Sequence, residues 1–189
     1  MKEVRIFYLV VLMLFGCTLK SNTGEDTPKE IKRSKVMEGV KKIIIPNHLI
    51  PVFDTTAKYN IFYLFNGGCS TCVISLMEAI KSISVNQGIE AKQTRIYFID
   101  TNNNTASVRF FLDKYNIIIG DNQYIVADPN SEFVNFNNIT IQPDGTSVTL
   151  ADELLLVKEE RNPFSDDNAM ALYRSLGIFS KETQKSFPK

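Results

Sequence analysis

The stretch Asn66-Gly67-Gly68-Cys69-Ser70-Thr71-Cys72 constrains this chain more than any other. It follows the apolar, aromatic run Ile61-Phe62-Tyr63-Leu64-Phe65, which is short enough to be a buried strand. It precedes Val73, Leu76, Met77, Ile80 and Ile83, which recur at helical spacing. The expected order is strand, sharp glycine turn, helix, with the helix starting near the second cysteine. Ser70 and Thr71 can accept hydrogen bonds from the unpaired amides of its first turn. Two thiols would then sit at the amino end of a helix, at the tip of a buried strand.

A cysteine thiol ionises near ~8.5, and the positive end of a helix lowers that value, in some Cys-x-x-Cys sites to about 7 or well below. The spacing lets one sulfur stay exposed while the other lies inward, close enough to join it. On this reading Cys69 attacks a substrate disulfide as thiolate and Cys72 resolves the mixed disulfide. The pair admits three other uses. A zinc site is disfavoured, because zinc needs four ligands, or three with an open position, and with Cys17 committed to the chain's opening segment, as argued below, only the single histidine, His48, is left to join the pair. A purely structural disulfide would close a tiny loop and remove little unfolded-state entropy. A carrier holding a soft ion such as Cu(I) on two thiolates is the third. No cofactor is expected. His48 lies in a Pro-containing connection and reads as a loop or packing residue.

The 189 residues suffice for one domain with a full core. The 21 basic and 21 acidic side chains balance, and no basic stripe interleaved with aromatics suggests a nucleic-acid partner. The chain opens with Lys2 and Arg5, followed by an uninterrupted apolar run over 6–15, matching the core of a signal peptide. Leu14-Phe15-Gly16-Cys17 resembles the lipobox of bacterial lipoproteins, which implies acylation at Cys17 and a membrane anchor. The expected organisation is a signal peptide over 1–16, a polar lipid-anchored tether over 17–35, a domain over 36–180 and a tail over 181–189.

Within the domain, residues 42–45 read as an opening strand closed by Pro46. Residues 96–99 read as the strand after the Cys-bearing helix, ending at Asp100, and 101–105 as a polar turn. A second helix is expected over 106–115 and a strand over 124–127 closed by Asp128-Pro129-Asn130-Ser131. Residues 132–138 fit either a short helix or an extended piece. Strands over 147–150 and 154–157 would form a hairpin, followed by a helix over 166–176. Alternating strands and helices imply parallel strands joined by crossovers.

That order, with Cys-x-x-Cys opening the first helix, resembles the thioredoxin-like α/β fold, a central mixed sheet flanked by helices. The added strand ending at Asp128 resembles the membrane-tethered thiol–disulfide oxidoreductases of the redoxin/TlpA type, over about residues 42–176. The resemblance implies Cys69 as nucleophile and Cys72 as resolving cysteine. It implies a substrate-facing loop at Gly68, Ser70, Thr71 and Thr146, and protein thiols or disulfides as partners at the extracytoplasmic side of a bacterial envelope. The chain departs from the family pattern in two places. Gly68 stands where an aromatic is usual and Ser70-Thr71 where Gly-Pro is usual, while the family's cis-proline position falls at about Thr146, with Pro143 the nearest proline. The sequence carries no marked counterpart of the family's buried acid.

Overall fold

The computed structural model describes residues 40–181. The expected signal peptide, Cys17, the tether and nearly all of the tail lie outside the described residues. Three parallel strands come first: β1 (Tyr59–Phe65), β2 (Thr94–Asp100) and β3 (Gln123–Ala127). Helix α1 (Ser70–Val85) connects β1 to β2, and α2 (Thr105–Lys114) connects β2 to β3. A short helix, α3 (Glu132–Asn137), leads to β4 (Thr146–Asp152), which pairs antiparallel with β1, and to β5 (Val157–Glu159) beyond it. Helix α4 (Asp167–Ser175) follows. The strand order is β3-β2-β1-β4-β5, so β1 is the centre.

The sequence of β1 explains that position, because a strand buried on both faces needs a near-continuous apolar run. Ile61, Tyr63 and Phe65 face one core with Leu76 and Ile80 of α1, Leu112 of α2 and Tyr173 of α4. Phe62 and Leu64 face the other, with Ile43, Leu49, Tyr97 and Phe133. Both crossover helices pack on the first face, as two right-handed crossovers stepping in one direction require. Burying Leu76 and Ile80 completely contributes about 1.5–3 kcal/mol each.

Three expectations need correction. Residues 42–45 form no strand of the sheet; they make one isolated bridge, Lys42 to Leu156. The ladder stops because the side-chain amide of Asn137 takes both backbone groups of Ile44, accepting from its N–H at 2.6 Å and donating to its carbonyl at 2.8 Å. The hairpin is shifted as well, with β4 running to Asp152 and β5 starting only at Val157. The Asp152 carboxylate accepts from the amides of Leu154 and Leu156, and Leu155 adopts φ 63°, so the leucine run is a turn. Helix α1 begins at Ser70, near the second cysteine as expected, but its cap is the Cys69 sulfur, which accepts from Cys72 N, in place of the Ser70 and Thr71 side chains. Residues 132–138, left open by sequence, contain α3.

Candidate redox site

The parallel strands all point their carboxyl ends to the same end of the sheet, where open α/β sheets build their sites. Phe65, the last residue of β1, leads through Asn66-Gly67-Gly68 to Cys69. The glycines act differently from expectation, since neither has a positive φ. Gly67 instead permits close approach: its amide donates to Asp100 Oδ1 at 2.9 Å, and a Cβ there would overlap the Asp100 carboxylate, 2.5–2.8 Å away. Asp100 also accepts from Asn102 N at 2.9 Å and Asn104 N at 2.5 Å. This fully buried carboxylate therefore organises the strand-to-helix turn and the loop after β2. The sequence marked Asp100 only as a strand end; the apolar run Ile96-Tyr97-Phe98-Ile99 leading into it was the available hint.

Cys69 and Cys72 are joined as a disulfide with their Cα atoms 5.3 Å apart, within the usual range for a bridge. Cys69 is partly exposed, whereas Cys72 is buried. The difference follows from helix geometry: Cys69 caps the helix at its open end, and Cys72 lies one turn along on the face that carries Val73 and Leu76 inward. Around the Cys69 sulfur stand the Cys72 amide at 3.4 Å and the Thr71 hydroxyl at 3.1 Å. With the positive end of α1, these donors favour a thiolate at Cys69 once the bridge is reduced. Ser70 and Thr71 are exposed residues of the first helical turn and Gly68 is exposed beside them.

The loop facing the inner sulfur comes from before β4. The Asp144 carbonyl lies 3.6 Å from Cys72 Sγ, and Gly145, at φ +76°, rests against the same sulfur so closely that an added Cβ would overlap it. Thr146 is placed behind this contact. It is 1% exposed, pairs with Phe65 across β1 and β4, and its amide and hydroxyl both donate to Asp144 Oδ1. Among the described residues there is no cis peptide bond. Gly145 and Asp144 were missed as site residues; the turn signal of Pro143-Asp144-Gly145 was legible, but its distance in sequence from the cysteines hid the contact.

Beneath the site, Tyr63 of β1 is 1% exposed. Burial pushes its phenol pKa up, against a lowering hydrogen bond from Thr146, with the Asp144 and Glu78 charges adding to the rise. Tyr97, on the other face, is pushed up to about 12 by burial. His48 is more engaged than its sequence context suggested. Its Nε2 lies 3.3 Å from buried Asp128 and its Nδ1 3.0 Å from Glu132, pinning the segment before β1 to α3. Among the described residues no group of three or more His, Cys, Asp or Glu side chains is placed to hold a metal ion. No helix among them is long and apolar enough to cross a membrane.

No protein-family model matches the sequence, and no curated protein does so either. Solved structures do resemble the chain. One is the thioredoxin domain of a thiol-disulfide oxidoreductase from Bacteroides vulgatus, 15% identical, covering 66% of this chain and 82% of that one, TM-score 0.48. Another is a thiol:disulfide interchange protein from Bacteroides sp., 16% identical, covering 68% and 79%, TM-score 0.47. A third is a secreted disulfide oxidoreductase from Mycobacterium tuberculosis, 12% identical, covering 66% and 87%, TM-score 0.46. At these identities the likeness concerns fold and not activity. A mixed five-stranded sheet flanked by helices, with a Cys-x-x-Cys bridge capping the helix that leaves the central strand, gives this chain a thioredoxin-like fold.

Proposed function

We propose that the protein is a thiol–disulfide oxidoreductase that exchanges disulfides with other proteins, held at the extracytoplasmic face of a bacterial envelope by a lipid on Cys17. The observation that carries the reading is the asymmetry of the pair: Cys69 is partly exposed among hydrogen-bond donors and Cys72 is buried. In the reduced protein, Cys69 thiolate attacks one sulfur of a substrate disulfide and expels the other as thiolate. A mixed disulfide joins Cys69 to the substrate. Cys72 gives up its proton and attacks Cys69 Sγ, releasing the second substrate thiol and closing the Cys69–Cys72 bridge. Two electrons pass from this protein to the substrate, and a partner dithiol must return them. The same steps run backwards when the bridge oxidises a substrate dithiol. Gly68, Ser70 and Thr71 border the attacking sulfur.

The test is a Cys72→Ala variant of the full chain, which leaves the mixed disulfide with no resolving thiol. The expected result is a stable adduct on Cys69 with protein substrates, cleared by dithiothreitol and absent when Cys69 is also replaced. A bridge that resists reduction below about −300 mV, together with no adduct, would identify a structural disulfide on a binding module instead. The mass of the mature protein tests the anchor: acylation at Cys17 adds lipid and removes residues 1–16.

A further inference from the structure

Beside the buried cysteine lies a groove of about 760 Å³, a size suited to several side chains. One wall is the face of α1 carrying Ser75, Glu78 and Ser82, starting one turn beyond Cys72; the other is the segment entering α4. Its floor is apolar, made by Tyr63, Ala79, Phe164 and Met170. The rim is charged and one-sided. Four carboxylates, Glu78, Asp144, Asp166 and Asp167, line it against one base, Lys81. Among the described residues Glu78, Asp144 and Asp167 make no salt bridge, and Asp166 faces Arg161 only at 3.6 Å. This excess is local, because the whole chain is balanced in charge.

We infer that this groove receives the polypeptide flanking the substrate's cysteine and selects segments carrying lysine or arginine close to it. The inference rests on the oxidoreductase reading above. The geometry supports it through Asp144, whose carbonyl touches the Cys72 sulfur while its residue also lines the groove. A substrate sulfur joined to Cys69 lies near that junction, and extended chain advances about 3.3–3.6 Å per residue. Basic residues roughly two to four positions from the substrate cysteine therefore reach the acidic rim. There the apolar floor takes the methylene stem of a lysine and the carboxylates take its head.

The test uses the reduced full-length protein and three disulfides. Two are homodimers of a short peptide, with lysines or with glutamates flanking one cysteine; the third is neutral hydroxyethyl disulfide. Lysine makes the leaving thiol more acidic, so each rate is divided by the rate of the same disulfide with dithiothreitol. The expected result is a roughly 3- to 10-fold preference for the lysine peptide, shrinking toward unity at about 0.5 M salt. A Glu78→Lys, Asp167→Lys double variant, checked for folding by circular dichroism, should prefer the glutamate peptide. Equal normalised rates for the two peptides, or a preference unchanged in the folded double variant, would overturn the groove. Failure of Cys69 to react with hydroxyethyl disulfide would overturn the oxidoreductase reading itself, and is distinct from either result.

Discussion

Gly145 is the position where a single methyl group tests the placement of the inner sulfur. A side chain at φ +76° costs about 1–2 kcal/mol through backbone strain. The new Cβ would also overlap Cys72 Sγ, and forcing a methyl group into a packed site costs typically about 1–3 kcal/mol. Gly145→Ala should therefore destabilise the oxidised protein by about 2–5 kcal/mol, read from urea unfolding. The two contributions separate in a double-mutant cycle with Cys72→Ala, which removes the sulfur but leaves the backbone unchanged. In that background the cost should fall to about 1–2 kcal/mol. The bridge closes so small a loop that its own loss should alter unfolded-state entropy little. Reduction offers a second readout, because a free Cys72 sulfur can rotate away from the methyl group while a bridged one is held. The variant should then favour the dithiol, raising the reduction potential by about 20–60 mV for a differential cost of ~1–3 kcal/mol. An equal cost of Gly145→Ala with and without the Cys72 sulfur would refute the contact.

Two further outcomes follow from the carboxylates. Asp100→Asn replaces one acceptor oxygen by an N–H donor facing the amides of Gly67, Asn102 and Asn104, and should cost about 2–4 kcal/mol in urea unfolding while loosening the turn that presents Cys69. For Asp152, burial raises the carboxyl pKa, but the Lys158 ion pair and the amides of Leu156 and Leu154 outweigh it and hold the value below 3.8. A depressed folded value gives stability that is present above the ordinary carboxylate range and lost as pH falls through the folded value. Asp152→Asn should accordingly flatten the fall in thermal midpoint below about pH 4, by an amount near 0.5 kcal/mol for so accessible a pair; an unchanged acid limb would contradict the assignment.

Local patterns in the chain specified β1, α1 and the cysteine pair, because a doubly buried strand needs a solid apolar run and a helix needs its 3.6-residue period. Both signals are complete within about twenty-five residues of sequence. The same logic located α2, β3 and α4 to within a residue or two. What sequence could not decide were contacts that depend on distant partners. Residues 42–45 look like a strand, yet Asn137 ends their ladder. The leucine run over 154–156 looks like another, yet Asp152 folds it into a turn. The glycines before Cys69 looked like turn residues, but the Asp100 carboxylate is why no side chain fits at Gly67. Only the tertiary structure put Asp144 and Gly145 against Cys72. Periodicity is a property of neighbours along the chain, whereas the environment of a buried sulfur is set by whichever segment the sheet order brings over it.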